Sequence, residues 1–556
     1  MSLQFITGNS GNGKTKYLFN RIVKEAKANP RGNYLVIVPE QFTMQTQRQL
    51  VDLSENKAIM NIDVLSFKRL AYRVFDELGI TNLTVLEETG KNLVLRKLAA
   101  QEADKLGVIG RNLNRIGYIS EVKSLLSELV QYNISPEELG RYIASGRLSD
   151  TLSDKLKDVL VLYEAFEKFM QDKYITAEEI LNVLSNVAEE SAILRNSVIA
   201  FDEFTGFTPI QNQLIKKLFV ISKKIYVTLT IDCREDIFKS RGMQELFDMP
   251  KRTVKSLTEM AAFYGIEVEE PIILDKNYRL AENEELSFME QQLFRKRRCS
   301  FKKVPKHIHI DCLRDPKQEL TKIARRINEL VRNENLRYRD IAIVTGDVNI
   351  YAGYVREIFD KYNIPYFIDA TQEILFHPFI EFIRSIPDIA AQHFSADAVF
   401  RFLRCGFTEL SASEIDVLEN YVLACGVRGK SAWDKKWVRL PKHKAGYDLE
   451  LLNQSREYIM ELLKPVYQVF SDKKSTVKDY VLAIYKLIVL LDIPDKLAKK
   501  EQALLDAGDQ TASKEYGQIY KIVMQLFEKY VAVLGDECMD AEAVSYTHLR
   551  AHETTL

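Results

Sequence analysis

Two short stretches carry residue types that could handle a nucleoside triphosphate. Gly8-Asn9-Ser10-Gly11-Asn12-Gly13-Lys14-Thr15 fits the phosphate-binding pattern G-x-x-x-x-G-K-[ST] at every fixed position. Backbone N–H groups at the start of a helix, reinforced by its dipole, attract phosphate oxygens. Gly8, Gly11 and Gly13 let the turn wrap closely around them. Lys14 is placed to reach the β- and γ-phosphates, and the Thr15 hydroxyl to complete the shell of Mg²⁺. The second stretch is Asp202-Glu203, directly after the apolar run Ser197-Val198-Ile199-Ala200-Phe201. In P-loop enzymes an acidic pair at a strand end holds Mg²⁺, here Asp202, and activates the attacking water, here Glu203.

These groups need a scaffold, and the pattern around them supplies an α/β one. Leu3-Gln4-Phe5-Ile6-Thr7 reads as a strand before the loop, and residues 16–28 read as a helix with apolar Tyr17, Leu18, Ile22 and Val23. Strand-like runs at residues 33–38, 62–67, 197–201 and 224–230 alternate with helical segments, which predicts a parallel sheet with crossover helices. Between residues 86 and 195 the spacing turns helical throughout, and Ser135-Pro136-Glu137-Glu138 and Thr176-Ala177-Glu178-Glu179 read as helix starts. A second α/β unit is expected from His307, with strands at residues 307–310, 340–344 and 364–368. Mostly helical chain is expected from 377 to about 534.

The totals exclude several classes. At 556 residues, 46% of them hydrophobic and 28% charged, the chain is a multidomain globular protein. Lys+Arg 77 almost cancels Asp+Glu 78, so contact with nucleic acid would rely on local patches. Six scattered cysteines without C-x-x-C argue against a disulfide framework or a local metal knuckle, and fit a reducing cytoplasm. Neither a signal peptide nor a run long enough to span a bilayer is visible, so no membrane association is expected. Arg295-Lys296-Arg297-Arg298 with Lys302, Lys303 and Lys306 is the dense basic cluster. It reads equally as a DNA-backbone contact or as a solvated linker. Trp433 and Trp437, among Lys435, Lys436, Arg439, Lys442 and Lys444, could stack on single-stranded bases or dock on a core.

Taken in order, the motifs resemble the UvrD-type helicase core. Beyond the phosphate loop, Leu65-Ser66-Phe67-Lys68-Arg69-Leu70-Ala71 is similar to its T-F-H-x-L-A segment, and the run from Asp202 to Gln211 to its D-E-F-Q-D-T-N-x-x-Q. Asn277-Tyr278-Arg279 resembles its N-Y-R motif, which implies that Arg279 meets the γ-phosphate. Val38-Pro39-Glu40-Gln41, the F-T-G-F-T-P run from Phe204 to Pro209, and His377-Pro378-Phe379-Ile380-Glu381-Phe382 narrow the resemblance. They look like the AddB family, the B subunits of the bacterial ATP-dependent helicase/deoxyribonuclease AddAB.

The resemblance implies a P-loop NTPase with two RecA-like domains and helical insertions. Residues 1–85 and 196–290 would form the first RecA-like domain and 86–195 its insertion. Residues 291–306 would be a basic linker, 307–390 an incomplete second RecA-like domain, and 391–543 a second insertion. It also implies ATP and Mg²⁺ as ligands, DNA ends and single strands as substrate, and an A subunit as partner. The expected role is resection of double-strand breaks for recombination. A RecB-type nuclease domain with a four-cysteine 4Fe-4S cluster is implied only for a C-terminal part that this chain does not reach. Residues 544–556 look like a translated sequencing adapter, which makes the chain an expected fragment. Two departures bear on mechanism. Glu235 stands where the family pattern has a phosphate-sensing glutamine, and no late arginine-bearing Y-V-A-L-T-R-A motif is found. Two rivals therefore stand beside the resection role: an active UvrD-type motor, and a non-catalytic DNA-binding scaffold with a structural ATP site.

Overall fold

The computed structural model describes residues 1–538 except 81–84, 109–117, 147, 172–173, 296–298, 370–373, 375, 442–446 and 473. The described residues group into two compact units. One comprises the described residues within 1–91, 98–112 and 120–309; the other comprises those within 92–97, 113–119 and from 310 onward.

Up to His309 the chain runs β1 (Ser2–Gly8), α1 (Lys14–Ala28), β2 (Tyr34–Ile37), α2 (Thr43–Leu53), β3 (Ile62–Leu65), α3 (Phe67–Leu78), β4 (Val85–Leu86), α4 (Glu88–Gln101), α5 (Tyr118–Gln131), α6 (Pro136–Ala144), α7 (Asp150–Met170), β5 (Ile175–Thr176) and α8 (Ile180–Val187). It continues with β6 (Val198–Phe201), α9 (Pro209–Ile221), β7 (Lys224–Thr230), α10 (Asp248–Phe263), β8 (Glu267–Val268), β9 (Ile272–Leu274) and α11 (Glu284–Gln292). The expected parallel sheet is present. Its order is β3-β2-β6-β7-β1-β8, with β9 also on β1, and every described pairing in it is parallel.

Both faces of that sheet are covered, which explains why its strands read as unbroken apolar runs. Successive side chains point to opposite faces. Val36 and Ala200 pack with Leu18, Phe19 and Ile22 of α1 and Leu50 of α2. Leu35, Ile199 and Phe201 pack with Phe67, Leu70, Leu214, Leu218, Val254 and Leu257 on the other face. Register places Gly8 beside Thr230 and Ile37 beside Phe201, so the loops that follow these strands open on one edge. In an open α/β sheet, ligands bind outside that carboxyl edge.

Helices dominate residues 86–195, as the spacing predicts, with one addition: β4 and β5 form a two-stranded parallel ladder. Ser135 caps α6 by accepting from the Glu138 N–H, and Thr176 and Glu179 cap each other. Inside this region Lys91 is only 3% exposed. Its ammonium donates to Glu178 at 2.6 and 2.8 Å, to Glu88 at 2.9 Å and to the Ser127 hydroxyl at 3.3 Å.

The second unit differs from expectation. Its described helices are α12 (Pro316–Asn333), α13 (Val348–Lys361), α14 (Pro378–Ala391), α15 (Ala396–Arg404), α16 (Ala412–Cys425), α17 (Lys430–Asp434), α18 (Leu449–Ser471), α19 (Val477–Leu490), α20 (Ile493–Asp506) and α21 (Gln510–Leu534). Strands expected at residues 307–310, 340–344 and 364–368 are not formed: among the described residues these segments have no ladder partner. A strand is stabilised by its neighbours, and none lies within the described chain. Here α12 and α13 pack on each other around Leu320, Ala324, Ile327, Ile358 and Phe359. From α14 onward a large helical core forms, and Trp433 and Trp437 are inside it. The Arg456 guanidinium donates to the Trp433 carbonyl, and the Asn453 side chain bonds the Trp437 backbone on both sides. The tryptophans therefore dock on a core; Lys442 and Lys444 lie outside the described residues.

Candidate nucleotide-binding site

β1 ends at Gly8 and α1 begins at Lys14, so the phosphate-loop residues form a tight turn between them. Gly11 and Gly13 adopt φ of +88° and +81°, a region that side chains with a Cβ avoid. The Asn277-Tyr278-Arg279 segment lies directly on this turn. The Asn277 amide donates to the Ser10 carbonyl at 3.0 Å, and the Tyr278 N–H donates to the Gly11 carbonyl at 3.0 Å. The Arg279 guanidinium reaches the Ser10 hydroxyl at 3.4 Å. Asn12 anchors the turn from beneath by donating to the Leu274 carbonyl at the end of β9.

Lys14 donates from Nζ to the carbonyls of Gly8 and Asn9, at 3.1 and 3.0 Å. Burial pushes its pKa down, helped by Arg279, while Glu203 and Asp202 pull the other way. Its charge is thus held at the loop, facing the two carboxylates. The Thr15 hydroxyl donates to Glu203 Oε1 at 3.3 Å. Asp202 is 1% exposed; its Oδ1 accepts from the Thr228 hydroxyl, and its Oδ2 has no hydrogen-bond partner. Burial, and then the neighbouring Glu203 charge, push the Asp202 carboxyl above its usual range, against the Thr228 bond and the weaker pull of the nearby Thr15 hydroxyl and Glu203 N–H. A buried carboxylate oxygen without a donor, beside a threonine hydroxyl, suits a hard divalent cation. Among the described residues no three His, Cys, Asp or Glu side chains converge as a metal cluster, here or elsewhere, so a cation at this site would rely on Asp202, the Thr15 hydroxyl and the phosphates themselves.

Glu203 itself has φ of +63°, a strained conformation for a residue with a side chain, at a cost of about 1–2 kcal/mol. The following run explains how it is held. Phe204 and Phe207 pack against Phe67 and Phe201 with ring centroids 5.3 to 6.3 Å apart. Thr208 and Gln211 then close a capping box, with Pro209 in the first turn of α9. The motif-bearing segments after β2 and β3 also meet, because Ser66 donates to the Glu40 carboxylate at 2.8 Å.

The resulting cavity has a volume of about 830 Å³. Lys14, Thr15, Asp202, Glu203, Tyr278 and Arg279 line it, with Ser10, Gly11 and Gly13 at its floor. All the sequence-predicted candidates thus come together except Gly8, Asn9 and Asn12, which support the loop rather than line the cavity. Residues that sequence reasoning misses are Thr228 and Thr230 of β7 and a polar stripe on α2, Gln45, Thr46 and Gln49. The signal for the stripe is helical spacing of amides; for Thr228 it is a hydroxyl interrupting an apolar strand. Glu235 lies outside the cavity lining. Its carboxylate pairs with buried Lys251 at 2.7 Å, and Lys251 also meets Glu245 at 3.2 Å.

Comparison with known proteins places the chain in a family. The family described as ADDB, N-terminal, matches residues 5–290, just over half of the chain. The B subunit of the ATP-dependent helicase/deoxyribonuclease of Lachnoclostridium phytofermentans is 38% identical over 549 residues, covering 97% of this chain and 48% of the relative. The protein of the same name from Clostridium acetobutylicum is 31% identical over 557 residues, covering 98% of this chain and 48% of its own length. That of Caldanaerobacter subterraneus is 32% identical, with 98% and 47% covered. The chain spans about half the length of these curated relatives. With the family match over the phosphate loop, the acidic pair and the N-Y-R segment, and relatives aligned along nearly its whole length, the chain belongs to the AddB family.

Proposed function

We propose that this chain is the N-terminal part of the B subunit of a heterodimeric ATP-dependent DNA helicase/exonuclease that resects double-strand breaks for recombinational repair. In this reading residues 1–85 and 196–290 form a RecA-like domain that binds ATP and Mg²⁺, and the chain contacts DNA. Residues 307–390 begin a second RecA-like domain. In this reading the nuclease, with its iron–sulfur cluster, would belong to a part of the subunit other than this chain.

The observation that carries the reading is the convergence of Lys14, Thr15, Asp202, Glu203 and Arg279 on one cavity. Loop N–H groups and Lys14 would hold the phosphates, with Lys14 leaving the carbonyls of Gly8 and Asn9 to do so. Arg279, already at Ser10, would approach the γ-phosphate. Mg²⁺ held by Thr15 and Asp202 would supply neutralisation of the phosphate charge. Glu203 would accept the proton of the attacking water.

A second reading, nucleotide binding in a scaffold that is not itself a motor, is favoured by the Glu235–Lys251 pair. A carboxylate committed to a buried lysine is a poor reporter of the phosphate. Titration of the full-length protein with fluorescent ATP tests the shared premise. Lys14→Ala should abolish saturable binding, and unchanged affinity would sink the site. DNA-stimulated hydrolysis by the isolated full-length protein, lost in Glu203→Gln, would favour the motor; binding without such stimulation favours the scaffold.

A further inference from the structure

Asn9 occupies a variable position of the phosphate loop, yet its side chain is committed at both ends. It is 5% exposed. Its Nδ2 donates to Glu290 Oε1 on α11, and its Oδ1 accepts from the Cys233 N–H in the loop after β7, at 3.0 Å. The same two elements are tied together a second time. Asp232, adjacent to Cys233, pairs with Arg234 and with Arg295, each at 2.6 Å. The Arg234 guanidinium also donates to the Gln291 carbonyl of α11 at 3.2 Å, and the Arg295 guanidinium lies over the Phe247 ring at 5.1 Å. Burial alone would raise the Asp232 carboxyl, but the Arg234 and Arg295 guanidinium groups outweigh it and hold it below its usual range. Arg295, the first residue of the basic cluster, is thus a partner of Asp232.

The other side of Asn9 faces the ligand chemistry. Its carbonyl accepts from Lys14 Nζ at 3.0 Å, and phosphate oxygens on the loop would compete for that same ammonium. Seating phosphates fixes the loop backbone through its N–H groups, so Asn9 is the residue through which that ordering passes to α11.

We propose that the Asn9–Glu290 hydrogen bond couples nucleotide occupancy of the loop to the C-terminal end of α11. Glu290 is a positioning residue: it acts through Asn9 and touches no phosphate. The coupling rests on the nucleotide-binding reading above. It makes α11, which leads along the chain towards the second unit, an output element of the site.

The test is hydrogen exchange by mass spectrometry on the full-length protein in its complex, with and without ATPγS and Mg²⁺, with nucleotide affinity measured on the same samples. In the wild type, nucleotide should slow exchange in α11 by about threefold or more. Glu290→Ala should bind nucleotide with affinity within about twofold of wild type yet lose that slowing. Glu290→Gln, which keeps an acceptor for Asn9 Nδ2, should retain it. Retained slowing in Glu290→Ala would overturn the coupling, as would nucleotide binding in the wild type without any change in α11. If Glu290→Ala fails to fold, the wild-type response and its retention in Glu290→Gln still decide. If the wild type binds no nucleotide, the nucleotide-site reading itself fails and the coupling falls with it.

Discussion

Replacing Gly11 with alanine probes how tightly the N-Y-R segment is seated on the phosphate loop. The added Cβ would stand 2.8 Å from the Arg279 Cβ and 2.8 Å from Asn277 Oδ1, closer than a carbon normally comes to either. Neither neighbour is a free end. Asn277 Oδ1 accepts from the Leu280 N–H at 3.0 Å while the same amide donates to Ser10. With φ at +88°, the backbone strain alone costs about 1–2 kcal/mol. Moving the segment away breaks the Asn277–Ser10 and Tyr278–Gly11 bonds, at about 1 kcal/mol each. The sum is about 3–4 kcal/mol.

Gly13→Ala is the matched control. Its φ is +81°, but the nearest atoms to the new Cβ are Tyr278 ring carbons at 3.5 and 3.7 Å, ordinary contact distances. Only the backbone strain of about 1–2 kcal/mol then applies. Thermal melts of the nucleotide-free protein should place Gly11→Ala below Gly13→Ala by roughly 2 kcal/mol of stability, about 3 °C for a unit of this size. Equal shifts, or the opposite order, would refute the seating of Asn277-Tyr278-Arg279 on the loop.

Two further outcomes follow from buried charge. Lys91→Met strands the Glu178 carboxylate among the helices of residues 86–195 and should destabilise the first unit by about 3–5 kcal/mol, whereas Lys91→Met with Glu178→Leu should recover most of that loss. A double variant as unstable as the single one in urea unfolding would show that the pair is not the cause. Asp202→Asn should stabilise the protein at neutral pH in chelator, because a carboxyl raised in the folded state binds protons more readily there than when unfolded. That raised value costs stability as pH climbs above the unfolded carboxyl range, so the advantage of the asparagine should shrink towards pH 4. Its Mg²⁺-dependent nucleotide affinity should fall at the same time; a variant less stable than wild type in chelator at pH 7 would contradict the electrostatics.

How much of this is legible in the sequence depends on how local each feature is. The phosphate loop and the Asp202-Glu203 pair are contiguous, so their residue types and flanking apolar strands announce them. Contacts such as Asn9 to Glu290 join residues 281 apart and leave no trace in spacing. The sequence does not announce α10, because polar Lys251 and Thr253 sit among its buried positions and blur the apolar stripe of Val254, Leu257 and Ala261. β9 is only three residues long and half open to solvent. The expected strands of the second unit show the converse. Val and Ile content reveals strand propensity, yet a ladder needs a partner that propensity cannot supply.

Those unladdered segments carry a practical consequence for anyone who handles this polypeptide. Ile310, Val344 and Phe367 are 93%, 92% and 88% exposed, on stretches whose backbone has no ladder partner among the described residues. Apolar side chains beside unsatisfied strand-forming backbone are a template for edge-to-edge association. A recombinant product bounded like this chain will therefore lose monodispersity as concentration rises, and faster in sulfate or phosphate salts, which strengthen apolar burial. Purification conditions, rather than the nucleotide site, will decide whether its enzymology can be measured at all.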